Sequence, residues 1–239
     1  MSEFKGFGQK TLTFLRQLKR NNKRDWFEAN KATYVTDVQE IMRAFVQEMD
    51  TRFGRIAPEI IGDPKKSIFR IYRDVRFSKD KSPYKTHAAC WFFHRAAGKK
   101  VGQEAHEGGA GFYLHVEPGA SFMGAGIWMP PRPTLNRLRA AVVADVTSFR
   151  AIVNNASMKR RYGGLSEEGR LTRVPRGFPA DHPAGDLLRH VSYIVGRSVT
   201  DAEVLNRNVA QRVEKDFAVA LPLVRWLNSA LGYRPATSR

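Results

Sequence analysis

The feature that most limits this chain's architecture is a change of hydrophobic period near Ile68. Upstream, apolar residues recur every three or four positions: Leu12, Leu15 and Leu18 with Phe14 beside them, then Tyr34, Val38, Ile41, Phe45 and Met49. That spacing lays one apolar stripe along a helix. "TLTFLRQLKRNN" predicts a short helix with Thr11 as a candidate N-cap, and the stretch from Lys23 to Gly54 predicts one broken helix or two, stopped at Gly54. From Ile68 the period is two. Phe69, Ile71, Val75 and Phe77 point one way; Arg70, Tyr72, Asp74 and Arg76 point the other, as in a half-buried strand. "KTHAACWFFHR", "GFYLHVEPG" and "ASFMGAGIWMPP" continue as strands, with turn residues between them. Helical spacing returns in "TLNRLRAAVVAD" and "TSFRAIVNN". Residues 156–183 read as irregular. A short helix through Leu187-Leu188, which Asp181 could cap, runs into a strand at 193–197. A long terminal helix follows, with Pro222 expected to kink it.

Helices, then antiparallel strands, then helices again predict an α+β fold. The expectation is one domain over residues 1–239, with a core from about 4 to 231 and a frayed tail at 232–239. Its antiparallel sheet should hold about four to six strands, with the N-terminal and C-terminal helices packed on one face. The terminal helix should close the core with Phe217, Leu221, Val224, Trp226 and Leu227. At 239 residues the chain can bury a large core without staples. It has one cysteine, Cys90, so no intramolecular disulfide forms, and the apolar run "AACWFF" makes that thiol a small buried residue. No run approaches 18 apolar residues, so neither membrane span nor membrane partner is expected, and the expected compartment is the cytoplasm.

Charge is the unusual quantity. Lys and Arg number 40 against 23 Asp and Glu, a formal net charge of +17. Such a balance favours phosphate-bearing partners, a nucleotide or nucleic acid, and makes association sensitive to salt. The charge is concentrated in "FRIYRDVRFSKDKSPYKTH", where six of nineteen residues are Lys or Arg. Along a strand, alternate residues on one face lie about 6.6 Å apart. Arg70 and Arg76 therefore cannot grip one small phosphate unless the strand bends or neighbouring strands contribute. Arg73 falls on the apolar side, and a charge there needs a partner: an anion, or a carboxylate such as Glu28, Asp25 or Glu117. Beyond it, Ser78, Lys79, Lys81, Ser82, Tyr84 and Lys85 crowd a turn around Pro83, the makings of a phosphate or carboxylate cradle. The expected ligand-binding set is Arg70, Arg73, Arg76, Ser78, Lys79, Lys81, Tyr84 and Lys85. A solvated hairpin with internal Arg–Asp pairs is the structural alternative.

No nucleophile triad and no phosphate-loop pattern is legible, and the histidines show no HxH or HExxH spacing. No metal and no cofactor is therefore expected. A metal set would need Glu104, His106 or Glu107 to fold back toward His115 and Glu117, which share a strand face with Tyr113. If the chain is an enzyme, Asp74 and His115 are the acid/base candidates. The three prolines of "VPRGFPADHP" make a rigid loop that either walls a site or crosses the sheet, with Arg173 and Arg176 nearby.

The segments "GFGQKTLTFLRQLKRNNKRDWFEANKATY", "IFRIYRDVRFSKDKSPYKTH", "GFYLHVEPG", "GAGIWMP" and "RVPRGFPADHPAGDLLR", in that order, carry a family likeness. The chain resembles the domain-of-unknown-function 2461 family of uncharacterised bacterial and fungal proteins, from about Phe4 to about Leu231. Ala110 stands where that pattern has a proline. The resemblance implies one intact domain and no particular activity. Three readings follow from the residues: a module binding a phosphate-bearing ligand, an enzyme acting on a small anion at the same place, or a structural domain whose arginines pair internally.

Overall fold

The structure is a computed structural model that describes residues 3–76, 78–97 and 109–238. The N-terminal apolar stripe forms α1 (Gln9–Arg20), with Thr11, Leu12, Phe14, Leu15 and Leu18 buried. Its N-cap position is Gly8, not Thr11; the Thr11 hydroxyl instead donates to the Asp37 carbonyl at 2.6 Å. The next stretch is broken more finely than expected: α2 (Arg24–Ala29), α3 (Lys31–Tyr34), a π-helical turn (Val35–Gln39) and α4 (Glu40–Ile56). Gly54 does not stop α4, which runs on to Ile56.

Five strands follow one another in the sheet in sequence order, all antiparallel: β1 (Ile60–Ile61), β2 (Ala88–His94), β3 (Gly111–Val116), β4 (Ser121–Ile127) and β5 (Tyr193–Val199). Between β4 and β5 the chain forms α5 (Arg132–Ala144), α6 (Val146–Val153), α7 (Ala156–Tyr162) and α8 (Gly185–Leu188). The stretch read as irregular therefore begins with a helix: the Asn155 side chain caps α7 by accepting from the Ser157 and Met158 N–H groups. Asp181 caps nothing, since the N-cap position of α8 is Ala184. A capping box of Thr200 and Glu203 starts α9 (Asp201–Val204). The long α10 (Val209–Ala230) stays helical on both sides of Pro222. The fold is α+β, with helices before and after the sheet. Among the described residues no helix is long and apolar enough to cross a membrane.

Strand alternation gives the sheet two unlike faces. On the first, the register aligns Cys90 with Leu114 and Met123, and Phe92 with Phe112, Ala125 and Val195, all buried. Phe53 of α4 stacks on Phe112 at 5.4 Å, and Phe217 of α10 stacks on Phe112 at 4.6 Å. Burial pushes the Cys90 thiol pKa up, so it is a packing residue. Leu221, Val224 and Leu227 close this core as expected, while Trp226 is only partly buried and packs on Phe149. Gly126 has φ +121°, and a Cβ there would lie 2.1 Å from the Tyr193 carbonyl, so β4 and β5 approach too closely for any side chain. The second face carries Ala89 and Trp91 of β2, Tyr113 and His115 of β3, Phe122 and Gly124 of β4, and Gly196 and Ser198 of β5. That face holds the candidate site.

Candidate anion-binding face

The basic segment is extended but forms no regular strand over 68–77. Isolated bridges join Ile68 to Cys90 and Tyr72 to Tyr84. Between and beside them, Trp91 N–H donates to Ser67, Phe69 N–H to Ala89, Lys85 N–H to Ile71 and Arg73 N–H to Pro83. Residues 67–73 thus run antiparallel to 83–91 along the edge of the sheet. The period-two reading survives in burial: Ile71 is buried, Phe69, Arg73 and Val75 are half-buried, and Arg70, Tyr72, Asp74 and Arg76 are exposed. Phe77 lies outside the described residues.

Arg73 and Arg76 take different internal carboxylates, and the Arg70 charge acts on the one that Arg76 holds. Arg73 points to the apolar side, but its partner is Asp80, seven residues ahead, rather than Glu28, Asp25 or Glu117. Ser78 Oγ also faces the Arg73 guanidinium at 3.4 Å. Asp80 in turn accepts from the Ser82 backbone N–H at 2.9 Å, so one carboxylate closes the turn and neutralises Arg73. Arg76 grips Asp74 with two bonds, Nε to Oδ1 at 3.0 Å and Nη2 to Oδ2 at 2.6 Å. Those bonds and the Arg76 backbone N–H hold the Asp74 pKa down at about 2. Lys81 donates to the Val75 carbonyl. Tyr84 is a core residue: its ring stacks on Phe27 at 4.1 Å, and its backbone N–H and C=O both bond the Asn22 side chain. Lys79 is exposed.

Among the described residues four cations of the segment pair with no carboxylate, Arg70, Lys79, Lys81 and Lys85, although the Arg70 charge helps to hold the Asp74 pKa down. Arg70 makes no hydrogen bond or ion pair among the described residues. Lys85 is half-buried with Nζ 5.3 Å above the Phe69 ring. Burial first, and the neighbouring Arg70 charge second, push the Lys85 pKa down. The structure ties Arg73, Arg76 and Lys81 to internal partners, while the Arg70 charge acts on both Lys85 and Asp74 without a hydrogen bond to either.

Lys85 and Phe69 lead onto the second face of the sheet. Phe69 meets Tyr113 edge-on at 5.8 Å. Tyr113 Oη lies 3.1 Å from His115 Nδ1, and His115 Nε2 lies 3.2 Å from Glu117 Oε2. The other Glu117 oxygen accepts from Lys19 Nζ and Thr86 Oγ1, each at 3.1 Å. Phe122 stacks on the outer side of His115 at 4.6 Å and is 41% exposed. The His87 ring lies 4.0 Å from that of His115. Burial, with His115 and Lys85 adding to it against an opposing pull from Glu117, pushes the His87 pKa down to about 4. Burial also lowers the His115 pKa, against the opposing Glu117 bond. For Glu117, burial pushes upward, but the bonds from His115, Lys19 and Thr86 outweigh it. At neutral pH the cluster is two neutral imidazoles beside one carboxylate.

Tyr113, His115 and Glu117 share a face through their i, i+2, i+4 spacing, which the sequence shows openly. His87 joins them from the bend just before β2, and no local spacing announces it. His87, His115 and Glu117 each bring one ligand atom to within 4.8 Å of the others. Glu104, His106 and Glu107, the other residues considered for a metal, lie outside the described residues. His182 and His190 serve local structure, His182 accepting from the Ala184 N–H and His190 facing the Ser166 carbonyl. Arg173 and Arg176 are exposed. Beyond Phe122, a cleft of about 610 Å³ lies against β4 and β5, and its lining also takes in Met123, Val195, Tyr162 and Leu187 of the core side. Gly124 and Gly196, paired in register, line it together with Lys159, Gly163, Gly164, Ser166 and Glu167.

Fold and site together define a single-domain α+β protein with a histidine–glutamate cluster, with Lys85 and Phe69 beside it, on the second face of its sheet. The chain belongs to the DUF2461 family, described as a conserved hypothetical protein, whose model matches residues 10–226. No curated protein and no solved structure matches it.

Proposed function

We propose that this protein binds a small phosphate-bearing ligand, of the nucleotide class, on the second face of its sheet. The observation that carries the reading is Lys85, a half-buried ammonium over the Phe69 ring with no carboxylate partner among the described residues, beside an aromatic and histidine surface and within the field of Arg70. A half-buried ammonium whose charge is disfavoured by burial and by a second positive charge is destabilised until an anion arrives. Neutral His87, with no hydrogen-bond partner among the described residues, offers a further polar contact. The exposed part of Phe122, which shares the lining of the neighbouring cleft with Gly124 and Gly196, offers a surface against which a planar ring can lie. A small ligand is favoured over a nucleic-acid strand because Asp80 and Asp74 already neutralise Arg73 and Arg76, which shortens the free basic row. Asp74 is a poor general base, since a carboxylate held ionised down to about pH 2 takes up little proton at neutrality. If chemistry occurs here, His115, positioned by Glu117, is the residue for proton transfer.

Calorimetric titration in EDTA with ADP, pyrophosphate and a mixed 20-base oligonucleotide, over a salt series, tests this. ADP and pyrophosphate should bind one per chain, and Arg70→Gln and Lys85→Met should each weaken them while Arg76→Gln does not. Binding confined to the oligonucleotide, and indifferent to Arg70 and Lys85, would replace the site with a diffuse basic surface.

A further inference from the structure

We propose that His87, His115 and Glu117 form a binding site for one divalent first-row transition-metal ion. Two imidazole nitrogens and one carboxylate are a donor set for Zn²⁺, Fe²⁺ or Co²⁺; Mg²⁺ and Ca²⁺ prefer oxygen alone. Three protein ligands leave at least one position for water or an exogenous ligand. The geometry is nearly assembled. His115 Nε2 and Glu117 Oε2 stand 3.2 Å apart. Two ligands at metal bonds of about 2.1 Å are separated by about 3.0 to 3.4 Å in octahedral or tetrahedral arrangements. His87 closes the group with its atom inside 4.8 Å, so it must move inward by about an ångström. Having no hydrogen bond among the described residues, it gives up none in doing so.

The surroundings orient the ligands as outer-shell partners do. Lys19 and Thr86 both hold Glu117 Oε1, which leaves Oε2 facing His115. Tyr113 Oη stands at His115 Nδ1. When Nε2 takes the metal, the proton it shared with Glu117 moves to Nδ1, where Tyr113 Oη accepts it. The imidazole stays neutral and no redox step is needed. Among the described residues Lys19 is the cation bonded to the cluster; its side chain is 63% exposed, so solvent and salt screen its repulsion of the ion, while the half-buried Lys85 charge also acts on His87 and opposes the ion. The site does not rest on the anion reading, because ADP binding is measured in EDTA.

The test uses protein stripped with EDTA and dialysed, titrated with Zn²⁺ by calorimetry and with Co²⁺ by visible absorption. One ion per chain should bind, with Co²⁺ bands of a nitrogen–oxygen site. His87→Gln and Glu117→Gln should each weaken affinity about tenfold to a hundredfold, while His182→Gln binds as the parent does. Zn²⁺ should raise the melting temperature of the parent and not of the two site variants. If a variant melts early even in EDTA, the Co²⁺ spectrum of the parent decides. No bound ion, a featureless spectrum, or site variants that bind as tightly as the parent would overturn the proposal.

Discussion

Lys85→Met separates a ligand-binding cation from a structural one. Methionine keeps an unbranched stem to pack on Phe69 and removes only the charge. In the folded protein the Lys85 pKa lies below its ordinary value, because burial and Arg70 disfavour the ammonium. The unfolded chain therefore holds that proton more tightly, and below the ordinary lysine pKa the charge costs stability. The substitution removes that cost and loses a cation–π contact worth about 0.5–1 kcal/mol. The two oppose each other, so the melting temperature should stay the same or rise. Binding should change far more. A unit charge about 4 Å from a phosphate oxygen, at an effective dielectric of about 20, contributes about 4 kcal/mol before desolvation. What survives for a hydrogen bond to a charged group is about 1.5–3 kcal/mol. ADP affinity should thus fall about tenfold to a hundredfold. Thermal melts and calorimetry on the same preparation give both numbers. A variant that melts several degrees lower and binds ADP unchanged would show that Lys85 braces the hairpin and holds no ligand.

Other outcomes follow from the same contacts. Arg73→Met should leave ADP binding intact and move the melting temperature little, because its partner Asp80 is 59% exposed and can be solvated alone; lost binding would return Arg73 to the site. Gly126→Ala should destabilise by about 3 kcal/mol or more in chemical denaturation, since its Cβ would collide with the Tyr193 carbonyl at a φ that alanine rarely adopts; a mild effect would mean the strands can part. Glu59 is buried, and although burial pushes its pKa upward, bonds from Arg225 and from backbone N–H groups outweigh this and hold it low. Its contribution is present above the ordinary glutamate pKa and disappears as pH falls through the lower folded value, so Glu59→Gln should flatten the acid limb of stability against pH. An unchanged acid limb would assign that limb to other carboxylates.

Much of the fold was legible because burial imposes a period. Leu12, Leu15 and Leu18 face the core at helical spacing, and Phe112 and Leu114 at strand spacing. What escaped was short or non-local. The two residues of β1 pair only with the end of β2, and α7 starts from an asparagine cap inside a polar stretch. Residues 68–76 kept their alternation without a full ladder, because two isolated bridges and a few separate backbone hydrogen bonds tie them to the hairpin's return. In the site, Tyr113, His115 and Glu117 could be read along one strand. His87 could not, because it lies in the bend before β2 and meets His115 only through the path of the chain into that strand. The density of arginine was visible, but its neutralisation was not. That depends on side-chain direction: Arg73 reaches across the turn to Asp80, and Arg76 folds back on Asp74.

The most direct test of the central claim is a crystal soaked with ADP in the presence of EDTA. The account predicts a phosphate group within hydrogen-bonding distance of Lys85 Nζ and the Arg70 guanidinium, with Arg73 and Arg76 still bound to Asp80 and Asp74. A phosphate elsewhere on the surface, or a soaked crystal with Lys85 and Arg70 untouched at saturating ADP, would contradict it.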